Sequence, residues 1–187
     1  MEPTIDPNWE NTLASREAVR VLRWADEAIR ERGSFRIALG GGANLRPLLA
    51  AIALESEHTR ADFHRWHVYW CEERHVPPYH RDSCYRLAEQ ALLGRVPVLP
   101  ENLHRIRAEH RDPHEAARSY ELLLRRSFAM SAGDLPQFDA VVVGSRAQGT
   151  VIGLTGAVLN VARHVLTWGD APPLPALPSL AGVRTQA

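Results

Sequence analysis

A chain of 187 residues is long enough for one domain with a substantial core and too short for two enzyme domains of ordinary size. Its 45% hydrophobic and 24% charged residues are the composition of a folded globular protein and exclude a disordered tail. Acidic and basic residues balance at 22 each, which leaves no overall field to draw nucleic acid or an anionic membrane, so a small-molecule partner is expected. All the basic side chains are Arg, which excludes Schiff-base lysine chemistry and means that any anion site must use guanidinium forks. Two cysteines, Cys71 and Cys84, an acidic start without an apolar h-region and no membrane-length apolar run predict a reduced, cytoplasmic protein.

In chain order, apolar residues at helical spacing from Ala18 to Ile29 predict an amphipathic helix over 15–32, with Ser15 as cap and Gly33 as stop. Phe35 to Leu39 reads as a strand, Gly40-Gly41-Gly42 as a turn, and 45–57 as a second helix. The aromatic and β-branched run His67 to Cys71 is a second strand, followed by a loop containing Glu72, Glu73 and Arg74. A helix is predicted over 83–93, a short extended segment over 104–106, and a strong helix over 113–128 with Asp112 as cap and Pro113 in its first turn. Phe138 to Val143 is the third clear strand, 156–162 a short helix and 164–168 a fourth strand. This alternation points to an α/β fold, a Rossmann-like parallel sheet flanked by helices in a single domain over 1–187, with 169–187 as an extended Pro-rich tail.

Three places can carry chemistry. Gly40-Gly41-Gly42-Ala43-Asn44, between a strand and a helix, fits a phosphate approaching free amides, and equally fits a tight turn that needs glycine for room. Glu72-Glu73-Arg74 emerges at the same sheet edge; it reads either as a solvated turn or as Arg74 on an anion with a carboxylate such as Glu72 on sugar hydroxyls. The loop after the third strand offers Ser145, Arg146, Gln148 and Thr150, and neither a carboxylate nor an imidazole. His75 and His80 flank Pro77-Pro78 and read as loop imidazoles, with His75 as an alternative base if a carboxylate orients it. His64, His67, Cys71, His75, His80 and Cys84 lack the paired spacing of a structural zinc site, so no metal is expected. Trp66, Tyr69 and Trp70 belong to the core.

The ordered series Gly40-Gly41-Gly42, Trp70 to Pro77, Asp82 to Arg86, Glu101 to Ile106, Pro136 to Gly144 and Val158 to Val165 resembles the 6-phosphogluconolactonase family, which is related to the glucosamine-6-phosphate deaminases. The resemblance implies a Rossmann-like fold, a sugar-phosphate ligand and hydrolysis of 6-phosphogluconolactone to 6-phosphogluconate without an organic cofactor. It also implies that Gly41, Gly42, Ala43, Asn44 and Arg74 line the site and that Arg163 holds the substrate phosphate. Two departures stand beside it. The family's Ser-Gly-Gly-Ser-Thr-Pro turn is here Gly40-Gly41-Gly42-Ala43-Asn44-Leu45, and its Asp-Gly-His-Thr segment is Gln148-Gly149-Thr150-Val151. Thr150 thus stands where the imidazole base is expected and Gln148 where its acidic neighbour is, so the catalytic group is unassigned. Several dozen family residues are also missing between Thr150 and Val158, so the fold is expected to be shortened. A non-catalytic sugar-phosphate binder, or a remnant that associates with another protein, is the alternative.

Overall fold

The computed structural model describes residues 9–145, 149–169 and 180–186. Its first helix, α1 (Trp9–Arg32), begins earlier than its apolar spacing predicts. It buries Ala14, Ala18, Val21, Leu22, Ala25 and Ala28 along one stripe. Gly33, at φ 80°, ends it with its N–H on the Ile29 carbonyl, 2.9 Å away.

Strand β1 (Phe35–Leu39) leads through a 3-10 turn, Ala43–Leu45, into α2 (Arg46–Ser56). After a second such turn at Phe63–Arg65 come β2 (Trp66–Trp70) and, after Cys71 alone, β3 (Glu72–Arg74). Next are α3 (Cys84–Ala88), continued by a wider π turn over Glu89–Leu93, and β4 (Leu103–His104). Helix α4 (Pro113–Ser127) starts where the sequence predicts: the Asp112 carboxylate accepts from the His114 N–H at 2.9 Å. The remaining elements are β5 (Ala140–Val143), β6 (Gly149–Leu154), α5 (Ala157–Val161), β7 (His164–Thr167) and β8 (Ala181–Gln186).

Five strands form a parallel sheet in the order β4-β2-β1-β5-β7. In-register pairing places Phe35, Ile37, Trp66 and Val68 on one face, and Arg36, Ala38, His67 and Tyr69 on the other. Trp66, Tyr69 and Trp70 are fully buried, as core residues of the sheet. Helices α1 and α2 pack side by side, and Phe128, just past α4, rests on Tyr69 and Phe138. The chain builds outward from β1 to β2 and β4, then returns to β5. Strand order therefore reverses between β1 and β5, which is where open α/β sheets hold ligands, beyond the carboxyl ends of the strands.

The sequence did not predict a second, antiparallel sheet, yet β3, β6 and β8 form one in the order β3-β6-β8. Glu72-Glu73-Arg74, expected as a loop, is its first strand. The expected tail is likewise corrected: residues 181–186 are docked along the full length of β6. The Pro-rich residues 172–178 lie outside the described residues.

Candidate functional site

The turn leaving β1 is pinned across the switch point. Asn44 Oδ1 accepts from both the N–H and the hydroxyl of Ser145, each at 2.9 Å, and its Nδ2 donates to the Trp168 carbonyl at 3.1 Å. One side chain thus ties the ends of β1, β5 and β7 together. Gly42 adopts φ 94°, and a Cβ there would lie 2.3 Å from the Ser145 carbonyl oxygen, so both conformation and space demand glycine. A Cβ on Gly41 would sit 2.7 Å from Glu72 Oε1 and 2.8 Å from Cys84 Sγ.

Beside this turn, β3 presents Arg74 and the segment before α3 returns to meet it. The Glu73 carboxylate organises that return. It accepts from the Arg74 N–H (2.8 Å), the Ser83 hydroxyl (3.0 Å), the Cys84 N–H (2.7 Å) and the Tyr85 N–H (2.8 Å), capping α3 from a distant strand. Burial pushes its pKa up, while these four donors pull it down. Between the turn and α3 lies a cavity of about 280 Å³, whose polar lining includes Arg46, Arg74, Arg81, Asp82, Ser83 and Ser145, with Gly42 and Ala43 on the turn side. Arg74 Nη1 reaches Asp82 Oδ2 at 3.1 Å. Three arginines and one carboxylate thus line the cavity, with Arg74 and Arg81 both on Asp82, an arrangement suited to an added anion.

Of the residues expected here, Gly42, Ala43 and Arg74 line the cavity, while Gly41 and Asn44 shape it from behind. Glu72 does not face it. Its carboxylate is 4% exposed and held by Arg184 Nη2 of β8 at 2.8 Å, a partner not foreseen from the sequence, where 169–187 reads as a tail. Arg163 is also elsewhere. It precedes β7, whose His164 stands level with Ala140 and Ile37, so it emerges at the amino edge of the sheet. There its Nε faces Asp139 Oδ1 at 3.5 Å and its Nη2 donates to Gln137 Oε1 at 3.2 Å. The four-residue strand between it and the glycine turn spans roughly 13 Å. Arg74 and Arg163 therefore do not share a pocket. Arg46 and Arg81 take the additional positions at the carboxyl edge, and the sequence signal for Arg46 was its place directly after the turn.

No imidazole lines the cavity among the described residues. Thr150 lies within β6, its carbonyl accepting from the His75 N–H at 2.9 Å; Gln148 lies outside the described residues. His75 Nε2 is engaged with the His110 carbonyl at 2.7 Å, and His80 Nδ1 accepts from the Asp82 N–H at 3.2 Å. Cys84 reaches the cavity, but burial, reinforced by Glu73 and Glu72, pushes its thiol far above the range of a thiolate nucleophile. No group of three or more His, Cys, Asp or Glu side chains is arranged to hold a metal among the described residues. Likewise, none of the described helices is long and apolar enough to cross a membrane.

The glucosamine-6-phosphate isomerase/6-phosphogluconolactonase family model matches residues 8–151. The chain belongs to this family. It is 35% identical over 135 residues to a 6-phosphogluconolactonase of Nostoc sp., covering 72% of this chain and 55% of that one. It is 33% identical over 167 residues to a 6-phosphogluconolactonase of Synechocystis sp., covering 88% of this chain and 68% of that one. The chain thus spans between half and about two thirds of these relatives' length. Among solved structures, the 6-phosphogluconolactonase of Trypanosoma cruzi superposes with a TM-score of 0.69 at 18% identity, covering 89% of this chain and 85% of that one. That of Thermotoga maritima superposes with a TM-score of 0.67 at 18% identity, covering 87% and 80%. At such identity these two speak for the fold: the α/β arrangement with its parallel sheet is the one expected.

Proposed function

We propose that the carboxyl-edge cavity binds a phosphorylated sugar lactone and its open acid, and that the chain is a 6-phosphogluconolactonase-type hydrolase with a weakened catalytic step. The observation carrying this reading is the convergence of Arg74 with Arg46, Arg81 and the Gly42–Ala43 turn at the switch point of the sheet. Guanidinium forks make short, charge-assisted hydrogen bonds to a phosphate dianion, and the glycine turn admits an oxygen close to the backbone. Hydrolysis of the lactone requires water to attack the ring carbonyl while a base takes its proton. A threonine hydroxyl has no pKa in the working range, so Thr150 does not serve as that base. A positioned general base is worth about 10²–10⁴ in rate, and the activity should fall short of a full family enzyme by that order.

The absence of an imidazole among the described lining residues favours a second reading, a sugar-phosphate binder without catalysis. A lactone hydrolysis assay corrected for spontaneous ring opening separates the two. A rate above buffer that disappears in Arg74→Gln supports the hydrolase; a rate equal to buffer leaves the binder. Calorimetry with 6-phosphogluconate tests what both share. Affinity unchanged in Arg74→Gln would remove the site.

A further inference from the structure

The opposite edge of the parallel sheet carries a second basic cavity, of about 430 Å³, lined by Arg32, Arg36, Arg163, Asp139, Gln137 and Phe128 among others. It is separate from the carboxyl-edge cavity and does not depend on the function proposed for that one. Here we infer that it is a binding site for an organic phosphate monoester, one with an apolar or aromatic body.

Charge and geometry carry the inference. Asp139 is buried and its two oxygens are already committed. Oδ1 faces Arg32, whose Nη2 is 3.0 Å away, and also Arg163 Nε at 3.5 Å, while Oδ2 accepts from the Arg36 N–H at 2.8 Å. Arg32 is also paired with Glu31, so the charge left over rests on Arg36 and Arg163: Arg36 meets Asp139 only through its backbone N–H, and Arg163 has only the shared Oδ1 as a carboxylate partner among the described residues. Asp134 also lines the cavity, but its carboxylate accepts from the Ser131 N–H at 2.7 Å. The Arg36 guanidinium has no ion-pair partner among the described residues; it is held 4.7 Å above the Phe128 ring. The remaining contact of Arg163 is the neutral Gln137 amide. Two forks are therefore fixed by an aromatic face, a carboxylate and an amide, and both retain donors for a further anion.

The remaining lining selects the class of anion. Phe128, Met130 and Leu135 supply apolar surface, and Ser34 a hydroxyl. The space lies within the usual ~300–1,000 Å³ of small-molecule sites, so a bare ion leaves most of it unfilled. A dianionic phosphate bridging Arg36 and Arg163, with its ester body against Phe128 and Leu135, uses both halves of the lining.

Phenyl phosphate is the probe, titrated calorimetrically into the full chain, its Arg36→Gln, Arg163→Gln and Arg74→Gln variants, with thermal melting as a check on folding. Binding to the unaltered chain should weaken about tenfold or more in Arg36→Gln and in Arg163→Gln, and persist in Arg74→Gln. Inorganic phosphate should bind more weakly than phenyl phosphate. Arg163 is exposed and outside the core, so its variant carries the test should Arg36→Gln fail to fold. Affinity unchanged in Arg163→Gln, or lost in Arg74→Gln alone, would overturn the assignment, and inorganic phosphate binding as tightly as the ester would overturn the organic body. Loss of 6-phosphogluconate binding in Arg74→Gln concerns only the other edge, so failures of the two readings are distinguishable.

Discussion

Beyond the end of β4, the Tyr120 hydroxyl takes the place of a strand. β4 stops at His104, level with Tyr69, so the next residue of β2, Trp70, has no ladder partner on that side. The Tyr120 hydroxyl donates to the Trp70 carbonyl at 2.8 Å and accepts from its N–H at 3.0 Å, within the fully buried interior. Tyr120→Phe leaves both backbone groups unsatisfied and should destabilise the fold by about 2–3 kcal/mol, measurable as a lower urea midpoint. Gly144 illustrates a different constraint. A Cβ there would lie 2.6 Å from the Gly41 carbonyl oxygen and 2.8 Å from Asn44 Oδ1, where backbone cannot yield as a side-chain tip can. Gly144→Ala should therefore cost about 1–3 kcal/mol by overpacking. It should also loosen the Asn44 link between the two turns, so 6-phosphogluconate affinity should fall together with the melting temperature.

At the level of elements, the parallel strands were readable because each is a short apolar run between turn residues, and α4 because cap, proline and stripe agree. The antiparallel sheet was not, and its residues explain why. Glu72-Glu73-Arg74 has the composition of a solvated turn, and Gly149 and Gly153 interrupt β6 with residues of poor strand propensity. What holds these strands is tertiary: β6 needs β8 beside it, and Glu72 needs Arg184. Both members of that ion pair are buried, with Arg184 only 9% exposed, and its Nε and Nη1 find no acceptor among the described residues. Such a pair repays little of its desolvation, yet removing the arginine takes from the buried Glu72 carboxylate its guanidinium. Arg184→Ala should cost about 3–5 kcal/mol. The double change Glu72→Leu with Arg184→Met should recover most of that loss, because hydrocarbon needs no partner there. Thermal melts of the single and double variants check this; a double variant no more stable than Arg184→Ala would show that the pair's contribution is specific and not a matter of desolvation.

Across the whole molecule, the sheet separates two basic clefts, and the sequence could not show this because a residue's edge depends on strand direction and register. Arg74 follows β2 and Arg163 precedes β7, so two arginines expected on one anion stand at opposite ends of parallel strands. On the sheet face that carries Arg36 and Tyr69, His67 and His104 are joined Nδ1 to Nε2 at 3.3 Å, with His104 stacked on Tyr69 at 4.4 Å. Burial lowers both imidazoles; His104, further depressed by His67 and Arg36, falls to about 4. An imidazole whose folded pKa lies below its unfolded value near 6.5 binds fewer protons when folded. The stability it contributes is full above pH 6.5 and is lost as pH falls toward 4. The fall from 6.5 to about 4 corresponds to about 3 kcal/mol, but His104 is only partly buried and acts together with His67, so solvent screening leaves about 1 kcal/mol between pH 7 and pH 5. Urea denaturation at the two pH values should show that loss, and His104→Gln, which keeps a polar group toward His67 without a titrating proton, should flatten it. An equal loss in the variant would mean that the acid sensitivity arises elsewhere, with His67, also lowered by burial, as the next candidate; Glu73, raised by burial, acts with the opposite sign, since the stability it adds is present at low pH and lost as pH rises through its folded value.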